Sequence, residues 1–329
     1  VILDFRAQPR EGFIRWYQWS LEQEDCDPAL FMLKYLFKRY DLNIEQKLWI
    51  CWLYGTTYYA PTAWVIWNEF PDMELVGVQR LEEWNSKNYR RLRYQTDTRY
   101  NKGHLPTQFS SYKDWLGGLS QREKISSILA GKSGEEGFAH LWGEVSGNLH
   151  KFGRYSTWFY LQTLRKCAGV PIEAPSLLLE DYGGSRSHRN GLCLALGKPE
   201  WYDQKLSASE LSWMQNEAQS ILQEVRRRNS ALDAEFFGME SCLCSYKKAF
   251  RQKDGRYLGY YLDRQSEEIS TVQNDGWAGI DWRPWWEGRS ELLHPSLAKS
   301  TQIRKELMVS GQFSRFGLTS EEDVFDFWG

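Results

Sequence analysis

Seven consecutive residues, Leu48-Trp49-Ile50-Cys51-Trp52-Leu53-Tyr54, are apolar. Asn43 and Gln46 stand just ahead of them, three residues apart, the spacing at which a cap and its partner close a helix start. A helix that is apolar all round has no solvent face, so this one belongs at the centre of a domain. The run is far too short to cross a bilayer, and a mean hydropathy of −0.61 agrees. The opening residues show no basic stretch followed by an apolar one, so no export is expected.

Other helices are legible around that centre. Leu30, Leu33, Phe37 and Tyr40 make one stripe from Pro28 to Tyr40. Gly55 is expected to break or bend the central helix. Pro61 starts another, from Thr62 to Phe70, which Pro71 closes. Ser120 with Glu123, and Ser207 with Glu210, are further capping pairs. The second opens a helix whose last turn holds Arg226, Arg227 and Arg228, placed either to complement the helix dipole or to contact phosphate. Helices are also expected over Met239 to Arg251 and Tyr257 to Ser270. Glycine- and serine-rich breaks fall at Gly131 to Gly137 and Gly183 to Ser187, and a Pro/Gly/Trp-rich stretch at Gly276 to Gly288. Strict strand-like alternation is scarce. The expected fold is mainly α, a multi-helix globular body for which a DNA-glycosylase-like arrangement is one form. It would comprise two closely packed lobes, 1–150 with a base-pocket segment and a basic segment, and 151–329 with an anion-binding loop.

Composition narrows the function. Seventeen Trp, 18 Tyr and 16 Phe make up 16% of the chain, rings that fill cores and also stack on unpaired bases. A net charge of −2 excludes a surface that coats nucleic acid throughout, but not one basic face balanced by an acidic one. Six cysteines at no framework spacing fit a reducing compartment. Three motif resemblances fail. Ala130-Gly131-Lys132-Ser133-Gly134 lacks the glycine a phosphate-binding loop needs, Ser126 standing there, and a helix precedes it where a strand should. Cys242-Leu243-Cys244 and five scattered histidines lack zinc spacing, and no Gly-x-Ser-x-Gly elbow occurs.

Four constellations remain. Glu180 to Gly191 carries glycines, Arg186, His188 and Arg189 in a short arc suited to phosphate or pyrophosphate, with Asp181 beside it to orient an arginine, hold a metal or accept a proton. Tyr54 to Thr62 clusters hydroxyls and rings where two apolar helices meet, either an internally satisfied joint or a pocket for a polar ring. Asn85 to Lys102 interleaves six cations with Tyr89, Tyr94 and Tyr100, a nucleic-acid groove or a solvated face. Glu240, Lys247 and Lys248 could share one helix face, with Asp263 and Arg264 supplied by the next helix, for chemistry or for internal salt bridges.

In order along the chain, Leu53-Tyr54-Gly55-Thr56-Thr57-Tyr58, Asn68-Glu69-Phe70-Pro71-Asp72, Gln95-Thr96-Asp97-Thr98-Arg99, Lys151-Phe152-Gly153-Arg154, Gly184-Ser185-Arg186-Ser187-His188-Arg189-Asn190-Gly191 and the stretch from Met239-Glu240 to Arg264 resemble a family of phage DNA-hypermodification proteins. These are the α-glutamyl/putrescinyl thymine pyrophosphorylases, or amino acid:DNA transferases, whose helical domain also accompanies the kinase of 5-hydroxymethyluracil in DNA. The resemblance spans roughly residues 10 to 270. It implies an enzyme acting on double-stranded phage DNA in the cytoplasm of the infected host. Pyrophosphate on 5-(pyrophosphoryloxymethyl)uracil would be replaced by an amine such as glycine, glutamate or putrescine, with pyrophosphate released.

Such chemistry needs a basic cradle, a base-sized pocket and a carboxylate to take the amine's proton. On that resemblance Arg186, His188, Arg189, Lys247, Lys248 and Arg264 are expected at the pyrophosphate. Asp181, Asp263 and Glu240 are the candidate catalytic carboxylates, with Mg2+ on Asp181 or Asp263 the one candidate cofactor. Tyr54, Thr57, Tyr58 and Thr62 would line the base pocket. Arg90, Arg93, Arg99, Lys151 and Arg154 would follow the DNA backbone, with the target nucleotide flipped out. The rival expectations are a non-catalytic DNA-binding module that recruits the kinase and a base-excising glycosylase.

Overall fold

A computed structural model describes residues 8–96, 98–180, 186–251, 259–277 and 279–292. Among them the chain forms fourteen α-helices and no strand, with one isolated bridge from Gly134 to Ile172. In order these are α1 (Pro9–Glu22), α2 (Pro28–Arg39), α3 (Ile44–Thr57), α4 (Ala60–Glu69), α5 (Val78–Asn88), α6 (Leu105–Leu116) and α7 (Gln121–Ile128). There follow α8 (Gly134–Asn148), α9 (Arg154–Ala168), α10 (Ser187–Ala195), α11 (Ala208–Arg228), α12 (Phe236–Arg251), α13 (Tyr260–Asn274) and α14 (Arg283–Glu291). None of the described helices is long and apolar enough to cross a membrane.

The helices gather into two compact units. One comprises the described parts of Val1–Pro28, Ser176–Gln265 and Arg289–Gly329; the other is Ala29–Pro175 with Ser266–Gly288. The chain passes from the second of these units back to the first after Pro175, and α9 packs on α3 within the second.

Local chemistry sets the helix starts. Asn43/Gln46, Ser120/Glu123 and Ser207/Glu210 all close as reciprocal capping boxes, satisfying N–H groups that the first turn leaves unpaired. The false phosphate-loop sequence is the stop of α7 and the start of α8, with Ser133 at the N-cap. Arg228 bridges Glu224 and Glu11, Arg227 pairs with Glu224, and Arg226 donates to the Ala234 carbonyl. The arginine triplet therefore closes α11 and is held in internal contacts.

Every residue of α3 from Leu48 to Thr57 is buried, as an all-round apolar helix requires. Trp52 stacks on Trp49 at 5.1 Å and on Tyr112 at 4.9 Å. Burying each such side chain contributes about 1.5–3 kcal/mol. Gly55 does not break the helix, which runs on to Thr57 and stops where Tyr58 turns left-handed at φ 45°. The glycine is there because a Cβ would lie 2.6 Å from the Tyr160 Cβ of α9. The stretch expected as a break at Gly276 to Gly288 contains the start of α14, whose Trp285 is buried edge-on to Trp64.

In the other unit α1 packs against α10, α11 and α12. Trp16 donates to the Ser245 hydroxyl at 3.2 Å, Tyr17 to the Glu235 carbonyl at 2.7 Å, and Tyr246 to the Pro9 carbonyl at 2.9 Å.

Candidate active site

The segment read as an anion-binding loop becomes helix α10 from Ser187 onward. Asp181 and the two glycines after Tyr182 lie outside the described residues. α10 crosses α12 closely at Gly191, where a Cβ would run into the backbone of Leu243. This crossing sets the first turn of α10 against one stripe of α12 formed by Glu240, Cys244 and Lys247, spaced four and three residues apart.

Lys247 Nζ donates to the Ser187 hydroxyl at 2.7 Å. His188 Nδ1 lies 3.7 Å from Glu240 Oε1, with the two side chains 0% and 3% exposed. Between these pairs sits Cys244. Its thiol is pushed up to about 12, first by burial and then by the Glu240 charge, against a hydrogen bond from Ser187 that pulls it down. The expectation that Glu240 and Lys247 share a face holds: both turn to α10.

The arginines divide. Arg186 donates to the Asp203 carbonyl at 3.0 Å. Arg189 is 2% exposed, and its guanidinium braces the carbonyls of Leu179 at 3.3 Å and Gln204 at 3.2 Å. That position suits the support of two loops better than the capture of a ligand from solvent. Asn190 and Asp203 exchange bonds of 2.5 and 3.1 Å and fix the strained left-handed Asp203, φ 61°, beneath α10.

The first turn of α13 completes the cluster. Lys248 Nζ lies 5.4 Å from the Tyr260 ring centroid, a cation–π contact. Tyr261, its phenol raised by burial, points its hydroxyl at the Ser241 carbonyl 3.5 Å away. Arg264 acts on that phenol through its charge. Asp263 faces Arg289 at 3.8 Å. Behind this turn lies Asp25, a buried carboxylate between α1 and α2 that accepts from the Leu262 and Gly259 backbone amides at 2.9 and 3.2 Å. The sequence reading counted Ser187 among the donors of its arc but missed Cys244, Tyr261, Arg289 and Asp25. Of these only Cys244 carried a signal, as a residue four from Glu240 and three from Lys247.

The residues expected at the base and the DNA backbone belong to the other unit. The Thr57 hydroxyl donates to the Leu53 carbonyl at 2.9 Å and accepts from Tyr59 N at 3.2 Å. Thr98 closes on the Thr57 carbonyl at 2.6 Å, and the Thr62 hydroxyl accepts from Arg93 N at 3.2 Å. Tyr54 is buried, and Tyr58 stacks on Phe159 at 3.4 Å. The Thr57 hydroxyl is thus taken up within the segment and the Thr62 hydroxyl by Arg93, as in a packed joint.

Arg93 is ion-paired with Asp275. Arg154, 6% exposed, lies over the Tyr155 and Trp158 rings at 5.6 and 5.2 Å and not on the surface. Lys151 is half-buried at left-handed φ 57°. Arg90 and Arg99 are exposed, as are Tyr89 and Tyr100. A cavity of about 230 Å³ opens at the start of α3, but Glu45, Asp72 and Glu74 line it, the wrong sign for phosphate. Among the described residues no three His, Cys, Asp or Glu side chains converge as a metal site requires.

Comparison with known proteins bears on the same region. Residues 22–254 match a family described as amino acid:DNA transferase, an interval that contains α10, α12 and Asp25 but ends before α13. The protein named serinyltransferase from Salmonella phage ViI is 29% identical over 270 residues. That match takes in 78% of this chain but 65% of the relative, so the chain spans less than two thirds of that protein's length.

Proposed function

The chain belongs to the amino acid:DNA transferase family, and we propose that it replaces the pyrophosphate of 5-(pyrophosphoryloxymethyl)uracil in phage DNA with an amine. The bond from the exocyclic methylene carbon to the pyrophosphate oxygen breaks, and its electron pair leaves with pyrophosphate. The amine lone pair forms the new C–N bond. The surplus ammonium proton passes to a protein carboxylate and then to water. Electron donation from the uracil ring toward the methylene carbon assists departure. The donor is an amino acid or a polyamine, and the name of the phage ViI relative puts serine first, ahead of glycine, glutamate and putrescine. The reaction belongs in the cytoplasm of the infected bacterium.

One observation carries the reading: Lys247 bonded to Ser187 at the N-terminal end of α10, beside the buried His188–Glu240 pair. Helix N–H groups and neighbouring cations make such an end a seat for anions. Lys247, Lys248, Arg186 and Arg264 are the cations for the departing diphosphate. Glu240, through His188, or Asp263 takes the proton. Arg189 supports the loops that frame the seat. Arg90 and Arg99 are the exposed cations available to the DNA backbone.

The test is mass spectrometry of nucleosides from pyrophosphorylated DNA incubated with the protein and mixed amines, together with an assay for released pyrophosphate. A new aminomethyluracil nucleoside matched by pyrophosphate is the expected result. DNA binding with neither product would make the chain a non-catalytic module, and abasic sites would make it a glycosylase.

A further inference from the structure

We infer that Asp25 is a positioning residue of this site: its carboxylate holds the first turn of α13, and with it Asp263 and Arg264, in place beside α12. The inference rests on the amine-transfer reading above. The opening N–H groups of a helix have no partner within it and need one from outside. The residue at the start of α13 is Gly259, which has no side chain to give. Asp25 supplies the partner from far along the chain, one oxygen to Leu262 N at 2.9 Å, 237 positions away, and the other to Gly259 N at 3.2 Å, 234 positions away.

Nothing local in the α1–α2 turn requires a carboxylate at Asp25. It is 1% exposed, and burying an ionised carboxyl is expensive unless its charge is answered. Helix amides and the positive end of the α13 dipole answer it in part, though burial still outweighs them. The turn it holds is the one that touches α12 through Tyr261 on Ser241 and carries Tyr260 beneath Lys248. A slip of that turn would move every α13 group assigned to the site.

Among the described residues the charged and titratable groups around Asp25 are few. Asp263 faces it from α13, Cys26 and Glu24 flank it on its own turn, and Cys242 of α12 lies with its sulfur 3.2 Å from that of Cys26. Burial and the Asp263 charge push the Asp25 carboxyl up to about 7, against the pull of the backbone amides. The ionised form accepts at both oxygens, whereas protonation gives one of those acceptors up. The α13 amides therefore gain a second acceptor as pH rises through neutrality, while burial makes that charge costly to the fold.

The experiment uses the full chain and the near-isosteric variant Asp25→Asn. Hydrogen exchange should speed up at the Gly259 and Leu262 amides and stay unchanged in α11. At pH 8, kcat/KM for pyrophosphorylated DNA should fall at least about tenfold, and the wild-type inflection near pH 7 should vanish. Unchanged exchange with kcat/KM within twofold of wild type overturns the inference. So does a wild-type profile with no inflection near 7, a measurement that stands even where the variant fails to fold. A wild type that gives no product with any amine overturns the amine-transfer reading instead, and the exchange result still reports on the anchor.

Discussion

Gly191 of α10 lies against the backbone of Leu243 in α12 so closely that no side chain fits between them. That contact places Ser187 against Lys247 and His188 against Glu240. Gly191→Ala should therefore destabilise the protein by about 1–3 kcal/mol or more and abolish amine transfer. Gly143→Ala is the control: Gly143 is exposed on α8 with open space at its Cβ, and its replacement should be neutral or stabilising by up to about 1 kcal/mol. Urea denaturation of the pair decides the matter, and equal stability of the two variants would refute the packing argument.

Lys247 and Arg189 should fail in different ways. Lys247→Met removes a half-buried cation, and kcat should fall by about 10²–10³, as when one transition-state donor is lost, with the melting curve little changed. Arg189→Ala leaves the Leu179 and Gln204 carbonyls without that partner, at about 1–3 kcal/mol each, so it should lose stability first. Activity at a temperature where both variants are folded separates the cases.

Salt dependence of DNA affinity distinguishes the cations of the basic segment. Arg99→Ala and Arg90→Ala should each reduce the slope of log K against log[salt] by about 1. Arg93→Ala should leave that slope nearly unchanged, since its guanidinium is held by Asp275. Fluorescence anisotropy titrations at several salt concentrations would show it, and a full unit lost with Arg93 would contradict the assignment.

Thiol chemistry should be quiet in the native protein at Cys51, Cys193 and Cys244. Burial pushes the Cys193 thiol up to about 11, the Cys244 thiol up to about 12 and the Cys51 thiol well above its ordinary value. Because the thiolate is the reacting form, alkylation at pH 8 should be about two orders of magnitude slower than in urea at these positions. Mass spectrometry of labelled peptides reads this directly, and fast labelling of native Cys244 would mean the thiol is not shielded.

Asp25 gives stability a particular pH dependence. Its carboxyl is raised from 3.8 to about 7 in the folded state, so the native state holds the proton more tightly than the unfolded chain. The resulting stability is complete below about pH 4 and is lost as pH rises through 7. About 4 kcal/mol is the upper bound for a shift of that size. Denaturation midpoints at pH 5 and 8 should therefore differ more in the wild type than in Asp25→Asn. Identical differences would show that another group governs the slope.

What could be read in the sequence was what neighbours in the chain decide. The three capping boxes at Asn43, Ser120 and Ser207 are each complete within four residues, and each forms. The burial of α3 followed from its lack of any polar face. Gly55 misled, because the reason for it lies on α9 at Tyr160, far along the chain. The start of α10 was hidden among Gly, Ser and Arg residues that favour loops, and its helical state follows from the packing of Gly191, Leu192 and Cys193 onto α12. Lys247 and Glu240 were legible as neighbours on one helix face. Asp25 was not, since nothing near it foretells a bond to Leu262.

The discontinuous make-up of the first unit has a consequence during synthesis. α1 presents Phe13, Trp16 and Tyr17 to α10, α11 and α12, yet α12 ends at Arg251. At roughly 5–20 residues per second, the ribosome needs roughly 10–50 s to deliver those partners after α1 has emerged. Until α10, α11 and α12 emerge in turn, the aromatic face of α1 lacks those partners. A nascent chain stalled before α12 should consequently be held by chaperones at α1, while the segment from Ala29 to Pro175 already has most of its own unit's chain to hand.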